Sequence, residues 1–253
     1  MRKMINRFLF LTLSLTVCIS CGKGDDPTGQ LPDWNKNHTA TIQLYSRLSN
    51  EPLFKTADYS QVLSSVRSNL HQVTVLHRAD VVYGTAAIVN PTISIASEAG
   101  KVPFFARNRY SGDKAEGSGI LIGHTVQEMK TIPISSGCSW FSVPTRANSA
   151  IAMIFATVTF DNENQLSPGA EVIRKNLNDG TVLVGVVSKT LKDKLAAEFF
   201  AGSYRFEIVE STGNQVNQLV FVLTTLKWVL RQHTETPVGT DGVLNLNLQI
   251  ESL

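Results

Sequence analysis

Residues 149–188 read "SAIAMIFATVTFDNENQLSPGAEVIRKNLNDGTVLVGVVS". The run from Ser149 to Asp161 is long and apolar, which fits a strand buried on both faces. "SPGAEVIRKNLNDG" (167–180) places a Ser at the cap, a Pro at the first helical position and a Gly at the end, so it predicts a helix. "TVLVGVVS" (181–188) is a second apolar strand. Two strands without a polar face need cover on both sides of their sheet, and helices supply it.

The same alternation extends outward. "TATIQLYSRLS" (39–49) sets Ile42 and Leu44 at period two and is a first strand. "DYSQVLSSVRSNL" (58–70) spaces Val62, Leu63, Val66 and Leu70 as a helix, with Asp58 as its cap. "ADVVYGTAAIV" (79–89) and "PTISIAS" (91–97) read as strands from their β-branched content. Residues 106–117, "ARNRYSGDKAEG", are polar and glycine-bearing and read as a loop. "SGILIG" (118–123) and "EMKTIPI" (128–134) suggest two strands joined by a short turn. "KTLKDKLAAEFFAG" (189–202) is a helix with Leu191, Leu195 and Phe199 on one face. "YRFEIVE" (204–210), "QLVFVLTTLKWVLRQ" (218–232) and "VLNLNLQI" (243–250) close the chain as strands. The expected fold is a layered α/β sandwich with two packed, largely antiparallel sheets, and three helices outside them. The two punctuated helices after Asp161 argue against the alternative, a pure β-sandwich.

The N-terminal region reads differently. Arg2, Lys3 and Arg7 precede the apolar "FLFLTLSLTVCIS", a run too short to span a membrane comfortably, so residues 1–20 read as a secretory signal. Ser20-Cys21 resembles the bacterial lipobox, which implies lipid attachment at Cys21 and anchoring to a membrane. "CGKGDDPTGQLPDWNK" (21–36) lacks the apolar content to order itself and reads as a tether. Its Asp25-Asp26 pair resembles the export signal of Bacteroidetes surface lipoproteins, which implies the outer membrane, with surface exposure. Residues 37–253 then form a single domain.

Charge and cysteine usage exclude some functions. The chain holds 23 Lys and Arg against 21 Asp and Glu. Without the three signal cations the balance tips to one net negative charge, so no global basic field draws in nucleic acid. Cys138 is the one thiol beyond Cys18 and Cys21, so the domain has no internal disulfide to form. His38, His71, His77, His124 and His233 show no metal-ligand spacing.

The order of elements resembles the deoxyribonuclease I-like superfamily of endonucleases, exonucleases and phosphatases. "EGSGILIGHTVQEMKTIPI" is similar to the family's glycine strand and its partner. "RANSAIAMIFATVTFD" is similar to the strand carrying Thr-His-x-Asp. "GTVLVGVVS" stands where Gly-Asp-x-Asn is expected, and "VGTDGVLNLNLQI" where Ser-Asp-His is expected. The resemblance implies a site built on a divalent cation, with a His and Asp pair that activates water. Most matching positions depart from it. Ser46 and Arg47 stand for the metal-binding Asn, and Thr85 or Ala86 for the metal-binding Glu. Thr159 replaces the phosphate-facing His, and Val186 and Ser188 replace the Asp and Asn. Gly242 replaces the general-base His. Asp161 and Asp241 survive as the weak catalytic candidates, but Asp241 is read as a turn residue, and Asp161 is open to the same reading as an Asx turn with Asn162.

The expectation is therefore a domain that binds a glycan or protein partner with no cofactor and no bound metal. The alternative is an active metal-dependent phosphodiesterase or phosphatase. A β-rich adhesin unrelated to that family is a third reading. Arg107, Arg109 and Tyr110 gather cations round an aromatic ring and are candidate ligand contacts, as is Trp140 in "GCSWF". If Cys21 carries the lipid, Cys21→Ser should move the protein from the detergent phase to the aqueous phase in phase partitioning. An unchanged distribution would count against the anchor.

Overall fold

The computed structural model describes residues 39–253, apart from 50–51, 54–55, 69–71, 85–87, 124–127, 148–149, 200–201 and 212–215. The signal, Cys21 and the tether lie outside the described residues. Among the described residues no helix is long and apolar enough to cross a membrane.

Among the described residues fifteen strands fall into two sheets. The eight-stranded sheet contains β1 (Thr39–Ser46), β2 (Val73–Leu76), β3 (Val81–Tyr83), β4 (Ile88–Val89), β5 (Val102–Ser111), β6 (Lys114–Ile122), β14 (Trp228–Val238) and β15 (Val243–Ser252). Its order is β14-β15-β1-β2-β6-β3-β4, with β5 also on β6. The seven-stranded sheet contains β7 (Lys130–Ser135), β8 (Cys138–Ala147), β9 (Ala150–Thr157), β10 (Thr159–Phe160), β11 (Thr181–Ser188), β12 (Tyr204–Val209) and β13 (Gln218–Thr225). Its order is β12-β13-β11-β9-β8-β7, with β10 on β11. Pairing is antiparallel except at β1–β2, β9–β11 and β10–β11. Parallel neighbours need a crossover, and helices provide it: α1 (Thr56–Ser68) between β1 and β2, and α3 (Leu166–Asn176) between β9 and β11.

Period two sorts the side chains into three apolar clusters. Ile42 and Leu44 of β1, Val184 and Val186 of β11, and Val220 and Val222 of β13 meet between the sheets. Leu183, Val187, Leu219 and Phe221 turn the other way, toward Leu166, Ala170 and Ile173 of α3 and Leu195 and Phe199 of α4 (Lys192–Phe199). Tyr45, Leu76 and Leu121 face Val62 and Val66 of α1 and Ile95 and Ala96 of α2 (Pro91–Ala99). The result is helix, sheet, sheet, helix, the expected layered sandwich.

Four local expectations are corrected. Residues 91–99 form helix α2 and not a strand: Asn90 Oδ1 accepts from Ile93 N, Pro91 occupies the first turn and Gly100 closes the helix at φ 64. Those caps outweigh the β-branched content. Residues 106–117 are not a loop but the facing ends of hairpin β5–β6, where a bulge between Arg107 and Arg109 breaks the alternation. "SGILIG" and "EMKTIPI" do not pair, since β6 and β7 belong to different sheets. The stretch 218–232 is two strands, β13 and β14, turning at Leu226-Lys227.

Two helix starts also differ. Helix α3 starts at Leu166, one residue before Ser167, because a 3-10 turn over Glu163–Gln165 leads into it. Asp58 lies inside α1 and not before it.

Gly185 lets the outer layer close. A Cβ there would stand 2.3 Å from Phe221 Cζ and 2.9 Å from Val158 O. Phe221 is itself fixed between Phe160 and Phe206. Gly185→Ala should therefore destabilise the domain by about 1–3 kcal/mol, read as a lower midpoint in urea with unchanged slope.

Candidate functional site

Strands covered on both faces can present polar groups only at their ends. At one end of the sandwich the two sheets are tied together. Leu48, just past β1 and left-handed at φ 48, accepts through its carbonyl from Asn217 N and Gln218 N, both at 3.1 Å. Lys189 N, just past β11, donates to Asn217 O at 2.9 Å. A pocket of about 410 Å³ opens here, lined by Asp161, Ser188, Lys189, Thr190, Val216, Asn217 and Gln218.

Asp161 ends β10. Its Oδ1 accepts from Gln218 Nε2 at 2.7 Å. Its backbone is held by Gln165, whose Oε1 accepts from Asp161 N at 2.8 Å and Asn162 N at 3.0 Å. Burial pushes the Asp161 carboxyl above the usual carboxylate range, against the pull of Arg78, Gln218 and Arg109. Ser188 Oγ lies 3.1 Å from Thr190 Oγ1 at the pocket wall.

A charged cluster lies at the same end. Hairpin β5–β6 sets Arg109 opposite Glu116, and Arg109 Nε donates to Glu116 Oε2. Arg78 Nη2 stands 3.8 Å from the same oxygen. Arg78 follows β2 in a left-handed conformation, φ 55, and its carbonyl accepts from Leu53 N at 3.0 Å. Asp80 is buried, with Oδ1 accepting from Gly117 N at 3.4 Å. Burial raises the Asp80 carboxyl to about 6, although Arg78 opposes this. Burial, with Asp161 adding to it, pushes the Cys138 thiol up to about 12, so it stays protonated.

The other candidates are placed as follows. Asp241 sits in the β14–β15 turn between Gly239 and Gly242, both at positive φ. Its backbone oxygen accepts from Arg47 Nε at 3.1 Å and Nη2 at 2.7 Å, and it does not line the pocket. Val186 points into the core between the sheets. Arg107 stacks on the exposed Tyr110 ring at 4.1 Å from its centroid. Trp140 is corrected as a ligand contact: it lies in β8, 1% exposed, and its ring nitrogen donates to Ser142 Oγ at 3.1 Å. Thr85 and Ala86 lie outside the described residues.

The topology moves the position given to those two residues. The resemblance asks for a carboxylate at the end of the strand that follows the first helix. That strand, parallel to β1, is β2, and the residues at its end are His77 and Arg78. "VTVLHR" follows the first helical run directly in the sequence, which is the signal that could have located Arg78. Glu116 and Gln218 join the site only through strand pairing across the chain.

The metal implied by the resemblance does not fit these residues. Among the described residues no group of three or more His, Cys, Asp and Glu is arranged to hold a metal ion. The carboxylates of this end are already opposed by two guanidinium groups.

Solved structures place the fold. An endonuclease/exonuclease/phosphatase from Bacteroides vulgatus superposes with a TM-score of 0.59 at 11% identity, covering 85% of this chain and 100% of that one. A family protein from Leptotrichia buccalis gives 0.61 at 6% identity, with 83% and 98% covered. The human Nocturnin catalytic domain, with bound sulfate, gives 0.58 at 8% identity, with 88% and 99% covered. No protein-family model matches the sequence, and no curated protein matches it significantly. The chain has the deoxyribonuclease I-like fold of the endonuclease/exonuclease/phosphatase proteins.

Beneath the site His77 Nδ1 lies 2.8 Å from Ser46 Oγ, and burial followed by Arg78 lowers the imidazole to about 3. The unfolded chain takes up this proton below about 6.5 while the folded one waits until about 3, so His77 costs stability as pH falls through that window. Asp80 acts with the opposite sign between about 6 and 3.8, where the folded state holds the extra proton. His77→Gln should shift the stability difference between neutral pH and pH ~4.5 by about 3 kcal/mol in favour of acid, measured by urea titration at both.

Proposed function

We propose that the chain is a lipid-anchored outer-membrane protein, exposed at the cell surface, whose domain binds a ligand without hydrolysing it. Arg78 carries this reading. It lies just past the end of the strand where the resemblance calls for a metal-binding carboxylate, and it faces Glu116 at 3.8 Å. A divalent cation would have to enter against that fixed positive charge. The other replacements act in the same direction. Val186 is turned into the apolar core, and Gly242 offers no base beside Asp241.

The pocket favours a neutral ligand. Ser188, Thr190, Asn217 and Gln218 supply hydroxyl and amide groups, and Lys189 a single cation. Such a lining suits the hydroxyls of a glycan. A protein partner and a nucleic acid are outcomes the test separates.

One observation favours the second reading, a metal-dependent phosphoesterase. Asp161 is a partly buried carboxyl with a raised pKa at a pocket, the usual mark of a catalytic group. The purified protein should leave phosphomonoesters, phosphodiesters, DNA and RNA at background rates with Mg²⁺, Mn²⁺ or Ca²⁺. Turnover that Asp161→Ala abolishes would establish the second reading. On a glycan array, Gln218→Ala should weaken the strongest signal about tenfold, while a protein captured with no glycan signal would redirect the reading to a protein partner.

A further inference from the structure

We infer that the Arg78 guanidinium, with Arg109 beside it, is a built-in substitute for a divalent cation and holds the carboxylates of this end together without metal. The charge balance supports it. Arg78 and Arg109 contribute the same two positive charges as one divalent ion: Arg109 is bonded to Glu116, Arg78 stands 3.8 Å from it, and the charges of both are felt at Asp80 and Asp161. Arg109 is half exposed at 53%, whereas the Arg78 side chain is 13% exposed, so Arg78 is the inner charge.

The backbone fixes Arg78 from both sides. His77 N donates to Tyr45 O and Leu53 N donates to Arg78 O, each at 3.0 Å. A non-glycine residue at φ 55 persists only where its surroundings over-determine it. The turn therefore aims the side chain at the cluster before any ligand arrives. Arg78 Nε and Asp80 Oδ2 are buried with no protein hydrogen-bond partner. The cluster is held by charge opposition more than by saturated hydrogen bonding, as a cation among carboxylates would be.

The inference does not depend on which ligand the pocket takes, and its test reads stability and not activity. Thermal unfolding of the purified full chain is followed in EDTA and in millimolar Mn²⁺ or Ca²⁺. The wild type should keep the same Tm in both, within about 1 °C. Arg78→Gln, which leaves only the half-exposed Arg109 to oppose the carboxylates, should lose roughly 10 °C in EDTA and regain about half of it with metal. Arg78→Lys should stay close to the wild type and ignore metal. Arg78→Gln with Glu116→Gln should recover stability without metal, and it is read alone if the single variant does not fold. A wild type that metal stabilises would overturn the inference. So would a loss in Arg78→Gln that neither metal nor Glu116→Gln restores, because that is the signature of packing alone.

Discussion

Burial of both faces of the central strands of both sheets is the constraint from which the rest of the structure follows. Val184 and Val186 face one way and Leu183 and Val187 the other, and each set finds an apolar partner layer. A strand built so has no polar face to offer a ligand. Polar groups collect where strands end, and both sheets end together because Leu48 is bonded across to Asn217 and Gln218. The pocket sits at that junction for this reason and not because of any local motif.

On the proposed reading, electrostatics at the junction is what sets this chain apart from a metal hydrolase built on the same frame. A carboxylate at position 78 would add negative charge to Asp80, Glu116 and Asp161 and invite a cation. The arginine does the reverse. It opposes the carboxylates from within the chain, and its left-handed backbone directs it there. Burial raises the Asp80 and Asp161 carboxyls while Arg78 lowers both, and burial prevails. Beside this cluster the pocket is lined mostly by neutral donors and acceptors, the setting in which binding by hydrogen bonds is effective.

Much of the domain was legible in the sequence because period two and helix punctuation are local. The apolar runs at 149–161 and 181–188, and the helices between and after them, fixed the layered class. The errors were local conflicts. Residues 91–99 carried strand-forming side chains inside helix caps, and the caps prevailed. Residues 106–117 hid a hairpin behind charge and a bulge. Of the site, Asp161 and Ser188 were legible from the order of elements, and they do share a pocket. Arg78 is not legible that way, because matching the pattern one strand later, at 79–89, places the critical position at Thr85 or Ala86.

The sequence by itself determined the alternation of strands and helices and the near-neutral charge. These are properties of neighbours along the chain, and periodicity and composition report them directly. Only the tertiary structure decided that β2 lies parallel to β1 and leads into Arg78. It also decided that Arg109 faces Glu116 across a hairpin, and that Gln218 reaches Asp161 from 57 residues away. Strand pairing sets those distances, and pairing is chosen by the burial of whole faces, which no short stretch of sequence encodes.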